Sequence, residues 1–252
     1  SIKIIGGSKE MTNSAVGVIF SNIHDRSIPE LSRHRTMASI PYGGRYRLID
    51  FALSNLVNVG ITTVGVVTKY NYQSLLDHLG SGKEWDLARK DGGIVLLPPF
   101  IDETDSPYNN RLEALKGITG FLSRRNEEYV VLSDCDAIAH IDIADIIAYH
   151  ESKNADITMV FHEETGKIEQ DYFLTVTPDE TDRIKSVQIS PQTFDESKND
   201  LYINIMVINR EFLLSIIQDA VMRGFTSFGK DILTKQVDTL KIYGYRFTGY
   251  YA

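Results

Sequence analysis

Along the chain, short runs of β-branched and aromatic residues alternate with stretches in which apolar residues recur every three or four positions. The runs read as strands over residues 15–20, 62–68, 94–97, 129–132, 156–161, 172–177, 201–208 and 241–247. Several are apolar at nearly every position, the pattern of strands covered on both faces rather than one. The longer period predicts helices over 47–59, 113–122, 143–153 and 210–223. In the first, Leu48, Phe51, Ala52 and Leu56 share a stripe that Gly60 closes. In the last, Phe212, Leu213, Ile216, Ile217, Ala220 and Val221 do so, with Gly224 at the C′ position.

Strand–helix alternation of this kind predicts an α/β layered fold, a mixed but mainly parallel sheet with helices on both faces. The strand-rich stretch 172–208 predicts antiparallel pairing late in the sheet. No linker, internal repeat or low-complexity tract divides the chain, so one domain is expected. Residues 1–10 lack the apolar core of a targeting segment and read as a leader placed ahead of a natural start at Met11.

Composition narrows the function classes. The 252 residues are 42% apolar and 24% charged, and 34 acidic against 26 basic side chains leave a formal net charge of −8. That balance argues against nucleic acid or an anionic membrane as partner, since both need net positive faces. The longest mostly apolar stretch, residues 94–101, contains two prolines and falls far short of the ~20 residues that span a bilayer. One cysteine excludes an internal disulfide framework and a Cys-rich zinc site, and the six histidines show no metal-ligand spacing. A cytoplasmic protein is expected.

Ligands of open parallel sheets bind outside the carboxyl ends of the strands. The loop after the first strand, Ser21-Asn22-Ile23-His24-Asp25-Arg26-Ser27, has no glycine to turn successive N–H groups inward on a phosphate, and it places Asp25 where a phosphate would approach. It reads better as an ordinary connection than as a phosphate cradle. Gly43-Gly44 feeds a helix whose first turns carry Arg45, Arg47 and Asp50, either a turn with a solvated helix start or a junction in which Arg47 and Asp50 pair. The strand ending in Ser133-Asp134-Cys135-Asp136 presents two carboxylates two residues apart, which suits Mg²⁺ or, equally, the cap of the next helix. Cys135 between them reads as a small buried hydrophobe, because no basic partner lies nearby to activate it.

The run Gly43-Gly44-Arg45-Tyr46-Arg47-Leu48-Ile49-Asp50-Phe51-Ala52-Leu53-Ser54-Asn55 closely resembles the segment after the nucleotide loop in glucose-1-phosphate adenylyltransferases. Val66-Val67-Thr68-Lys69-Tyr70, Ser74-Leu75-Leu76-Asp77-His78-Leu79 and Phe228-Gly229-Lys230-Asp231-Ile232-Leu233 extend the likeness. The resemblance implies a Rossmann-like nucleotidyltransferase (nucleotide-diphospho-sugar transferase) fold over residues 11–252. In the family this domain is normally followed by a left-handed β-helix, whose hexapeptide repeats do not occur here.

Departures from the catalytic pattern are concentrated at the site. The family's Gly-rich, arginine-bearing loop and the lysine after it are replaced at Asn22, Asp25, Ser27 and Met37. The segment that shapes the nucleotide pocket departs at Tyr108, Arg111 and Glu113, the sugar-phosphate lysine is Ser190, and a glycine that opens the sugar site is Asn204. The family's metal-binding aspartate survives as Asp136. Three charged hydrogen bonds to phosphate, at about 1.5–3 kcal/mol each, sum to roughly 5–9 kcal/mol, on the order of 10³–10⁶ in rate or affinity. The resemblance therefore points to the non-catalytic, regulatory (GlgD-type) branch, a branch that Trp85 also fits. Its partner would be a catalytic subunit in an oligomer, and it would need no cofactor. Two alternatives stay open: an active Mg²⁺-dependent transferase using Asp136, and a sugar-phosphate or nucleotide sensor without turnover.

Overall fold

The computed structural model describes residues 14–21, 29–89, 92–99, 110–165, 172–190 and 199–251, so the leader assigned to residues 1–10 lies outside the described residues. The chain opens with β1 (Ala15–Phe20), the short helix α1 (Pro29–Ser32), a 3₁₀ turn over Met37–Ser39, and a small hairpin of β2 (Pro41–Tyr42) and β3 (Tyr46–Arg47). Helix α2 (Leu48–Val57) leads to β4 (Thr63–Val67), α3 (Gln73–Leu79) and β5 (Gly93–Leu97). After α4 (Arg111–Gly117) and α5 (Thr119–Ser123) come β6 (Tyr129–Asp134), α6 (Ile143–Ser152) and β7 (Ile157–Glu164). The strands β8 (Leu174–Pro178), β9 (Ile184–Ile189) and β10 (Asn199–Asn209) precede α7 (Arg210–Met222), a π-helical segment (Phe228–Thr234) and β11 (Ile242–Phe247).

Among the described residues nine strands form one sheet, ordered β11-β7-β10-β6-β1-β4-β5, with β8 and β9 joined through β10. The half built from β6, β1, β4 and β5 is parallel throughout, as its intervening helices require. Strand β10 runs antiparallel between β6 and β7, and β8 pairs antiparallel with both β10 and β9. The antiparallel pairing expected late in the sheet is therefore present.

Strand β1 shows why the central strands are apolar at every position. Val16, Val18 and Phe20 pack on the face covered by α4, α5 and α7, while Ala15 and Ile19 pack on the face covered by α2, α3 and α6. Gly17 lets α2 sit directly on the strand, since a Cβ there would stand 2.6 Å from Leu56 Cδ1.

The sequence pattern misses helices α1 and α3 and the π-helical segment, and it differs from the structure in three further places. The helix expected over 113–122 is two helices, broken at Ile118, whose φ of −106° and ψ of 9° lie outside the helical region. Strand β9 escapes an alternation test because its buried residues, Ile184 and Val187, are three apart. The β2–β3 hairpin is too short to carry a period at all. No helix among the described residues is long and apolar enough to cross a membrane.

Candidate functional site at the strand ends

Strands β1, β4 and β6 end level with one another: Phe20 registers against Val67 on one side and Asp134 on the other. Ser21 stitches this edge together. Its N–H and Oγ both donate to the Val67 carbonyl, at 3.1 and 2.7 Å, and its own carbonyl accepts the Ala38 N–H at 3.1 Å. The hydroxyl is thus used by the fold. Met37, where the family's lysine is expected, is buried in the core cluster that also holds Ile19, Ile49 and Leu53. Asn22, Asp25, Ser27 and Tyr108 lie outside the described residues.

Helix α4 brings the decisive group. Asn110 caps it, its Oδ1 accepting the Glu113 N–H at 3.1 Å, and Leu112 and Leu115 anchor it in the core. That start sets Arg111 against the end of β6. Arg111 Nη2 donates to both carboxylate oxygens of Asp134, at 2.7 Å each, and reaches Asn204 Oδ1 at 3.4 Å. Nη1 contacts the Tyr202 hydroxyl at 3.4 Å. The guanidinium carbon lies 5.4 Å from the centre of the Phe20 ring and 6.0 Å from that of Tyr202. The two charged side chains are 13% and 1% exposed, so the pair is sealed from solvent.

Burial alone would push the arginine toward its neutral form. Asp134, Tyr202 and Asp136 together more than reverse this, and the net effect holds the guanidinium charged more firmly than usual. The Tyr202 phenol is raised above its ordinary range, first by burial and then by Asp134, with Arg111 partly offsetting both. Tyr251, bridged to Ala139, is raised by burial and by the negative charges of Asp136, Glu164 and Asp134.

Of the other expected pocket positions, Asn204 reaches this pair, whereas Ser190 and Glu113 make contacts elsewhere. Asn204 occupies a bulge in β10 with φ +61°, a left-handed conformation in which glycine is the default and asparagine is tolerated. Ser190, at the end of β9, binds Phe173 twice: its N–H donates to the Phe173 carbonyl at 2.9 Å and its Oγ accepts the Phe173 N–H at 3.2 Å. Glu113 lines a cavity of about 40 Å³ with Val67, Pro98, Pro99 and Ala114. Cys135 is buried, its Sγ 3.4 Å from the Ser21 carbonyl.

Asp136 follows the strand end and is half-buried within electrostatic range of Arg111. The resemblance implies a divalent cation here, and the residues present do not fit one. Both Asp134 oxygens are engaged by Arg111, a fixed positive charge faces Asp136, and no cluster of three or more His, Cys, Asp or Glu converges among the described residues.

A second, open site lies beside the β2–β3 hairpin, a cavity of about 950 Å³ whose walls include Tyr42, Arg45, Arg47, Asp50, His78 and Trp85. The Arg47–Asp50 pairing read from the sequence takes another form. Only the Arg47 backbone N–H donates to Asp50 Oδ2, at 3.0 Å, whereas Asp50 Oδ1 lies 2.6 Å from His78 Nε2. The Arg47 guanidinium instead donates to the Ser39 carbonyl at 3.2 Å and to the carbonyl and hydroxyl of Ser74 at 2.8 and 2.6 Å.

The residues that sequence reasoning missed are Tyr202 and the charge partnership of Arg111. One signal was available: an aspartate ending a fully apolar strand needs a cation, and Arg111 opens a helix behind a capping asparagine.

A mixed sheet, helices on both faces and a ligand edge at the ends of β1, β4 and β6 define an α/β nucleotide-sugar transferase fold. The chain belongs to the nucleotidyl transferase family, whose sequence profile matches residues 28–250. It is 35% identical over 226 residues to a glucose-1-phosphate adenylyltransferase of Clostridium acetobutylicum, covering 88% of this chain and 58% of that protein. It is also 35% identical over 166 residues to the glycogen biosynthesis protein GlgD of Bacillus subtilis, covering 66% of this chain and 48% of that one. A glucose-1-phosphate adenylyltransferase of Thermotoga neapolitana matches at 33% over 94% of this chain and 57% of its own length. The chain thus spans about half the length of these curated relatives.

Proposed function

We propose that this chain is the nucleotidyltransferase-fold part of a non-catalytic, regulatory subunit of glucose-1-phosphate adenylyltransferase. It assembles with the catalytic subunit in an oligomer and raises ADP-glucose synthesis from ATP and glucose 1-phosphate for glycogen. One observation carries this reading: the Arg111–Asp134 ion pair stands at the strand ends where a transferase would hold phosphates and metal. Phosphoryl transfer depends on positioning and on neutralising developing charge. Here the cation is already neutralised by protein carboxylates, and positions 37 and 190 supply no further one. The likeness to the protein named GlgD supports the assignment to glycogen synthesis.

The second reading, an active transferase, draws on Asp136 at the end of β6 and on equal identity to the clostridial enzyme. One assay separates the two. The natural full-length protein alone should form no ADP-glucose, should co-purify with the catalytic subunit and should raise that subunit's turnover. Activity of the isolated protein that Asp136→Asn abolishes would establish the second reading instead. Failure both to bind and to stimulate would sink the first.

A further inference from the structure

We propose that Arg111 is a built-in cation that takes the place of a divalent metal at the end of β6, and that removing its guanidinium opens a divalent-cation site on Asp134 and Asp136. The idea deepens the non-catalytic reading of this site and rests on it. Two carboxylates two residues apart, at and just beyond a strand end, are a donor set that Mg²⁺ or Mn²⁺ accepts. In this chain one guanidinium already contacts both oxygens of the first and lies in the field of the second.

The walls of the slot decide which cation it takes. Mg²⁺ gives up its waters reluctantly and usually keeps several. Guanidinium is planar, weakly hydrated and stacks on aromatic faces. Phe20 and Tyr202 flank Arg111 at ring-contact distance, and Asp134 is 1% exposed, so the slot is dry and aromatic-walled. It is built for the organic cation. Because the arginine comes from α4 and its partner from β6, the same charge also fixes the helix to the strand, which a diffusible ion would do only while bound. Without the guanidinium, Asp134 and Asp136 would both lose the positive charge that α4 supplies, and a dication would answer that field.

The test is a titration with Mn²⁺ alone, followed by electron paramagnetic resonance of the free ion. The wild-type chain should show no site tighter than about 1 mM. Arg111→Met should gain one Mn²⁺ per chain, bound at least about tenfold more tightly than any wild-type binding, and Arg111→Met/Asp136→Asn should lose it. Circular dichroism checks the fold. Where Arg111→Met alone melts early, millimolar Mn²⁺ should raise its Tm by about 5 °C, because a ligand selective for the folded state stabilises it. Wild-type Mn²⁺ binding that Asp136→Asn abolishes would overturn the proposal. So would an Arg111→Met chain that neither binds more Mn²⁺ than wild type nor is stabilised by it. Metal occupancy is read without any transferase assay, so failure of the stimulation experiment and failure of this one are distinguishable.

Discussion

At the end of β6, Arg111 gives its guanidinium to an aspartate. Beside the β2–β3 hairpin, Arg47 gives Asp50 only its backbone N–H and turns its guanidinium to Ser39 and Ser74. The first arrangement is sealed, with side chains 13% and 1% exposed; the second borders a cavity of about 950 Å³. The same two residue types therefore produce a closed site and an open one. The sealed charges cancel each other and are closed to solvent. At the hairpin, Arg45, Glu84 and the Asp50–His78 pair all line space that solvent reaches. Burial, and not the presence of an arginine and an aspartate, decides which outcome follows.

The largest effect should come from breaking the sealed pair. Arg111→Met leaves Asp134 buried without its main countercharge, and Asp134→Asn does the converse to Arg111. Each should cost about 3–5 kcal/mol in urea unfolding, the range for stripping one partner from a buried ion pair. Arg111→Met combined with Asp134→Leu should cost well under the sum, since neither charge is then stranded. Simple additivity would mean that the two sites differ less than their burial indicates.

A second measurement uses pH to sharpen the contrast. Arg111 and Tyr202 are both raised, so neither titrates between pH 4 and 7. His150 does the opposite: burial lowers it from 6.5 to about 4, against the pull of Asp156 and Glu128, and its Nδ1 lies 2.8 Å from Thr158 Oγ1. Below pH 6.5 the unfolded chain takes up a proton at this position that the folded chain refuses. Stability should therefore be full above pH 6.5 and fall as the pH drops toward 4, by about 3 kcal/mol from this group. His150→Gln should flatten that part of the profile in a chain whose Arg111–Asp134 pair is intact. A slope that survives His150→Gln would show that another buried group, and not His150, titrates there.

Much of this was legible from residue order. Unbroken apolar runs such as Ala15–Phe20 announce strands covered on both faces, and Gly60 and Gly224 close α2 and α7 where the helical period ends, with φ of +84° and +66°. Of the positions that depart from the family's pattern, Arg111 and Asn204 meet at the end of β6. Sequence could not show what those departures do. Arg111 read as a lost pocket residue, yet it and Asp134 are 23 residues apart and meet only because α4 packs across the end of β6. Tyr202 carries no local signal, since its environment is made by β10 lying beside β6. Met37 likewise becomes a core residue only once the 3₁₀ turn folds under β1.

The hairpin arginine should matter less. Arg47→Met removes three donor contacts, but water can replace them from the adjoining cavity, so a loss of about 1–2 kcal/mol is expected in the same urea assay. Arg47→Lys should recover part of it, because all three contacts come from Nη1 alone and an ammonium on a shorter stem can replace some of them. A cost equal to that of Arg111→Met would erase the distinction between the open site and the sealed one.

The smallest effect should fall on Asn204, and it tests how far the sealed site extends. Its Oδ1 accepts from Arg111 at 3.4 Å, near the limit of a hydrogen bond, while its backbone holds φ +61°. Replacing it with glycine removes a weak contact but also relieves the penalty that a side chain meets in the left-handed region. These contributions oppose each other, and Asn204→Gly should change unfolding stability by no more than about 0.5 kcal/mol. Asn204→Ala, which loses the contact and keeps the backbone penalty without asparagine's tolerance for it, should be destabilised by about 1 kcal/mol. If glycine is clearly destabilising although it relieves the backbone, the amide is a true third partner of the guanidinium and the sealed site reaches into β10. If glycine is neutral, the closure belongs to Arg111 and Asp134 alone, and Asn204 is there because the bulge in β10 needs a residue that accepts positive φ.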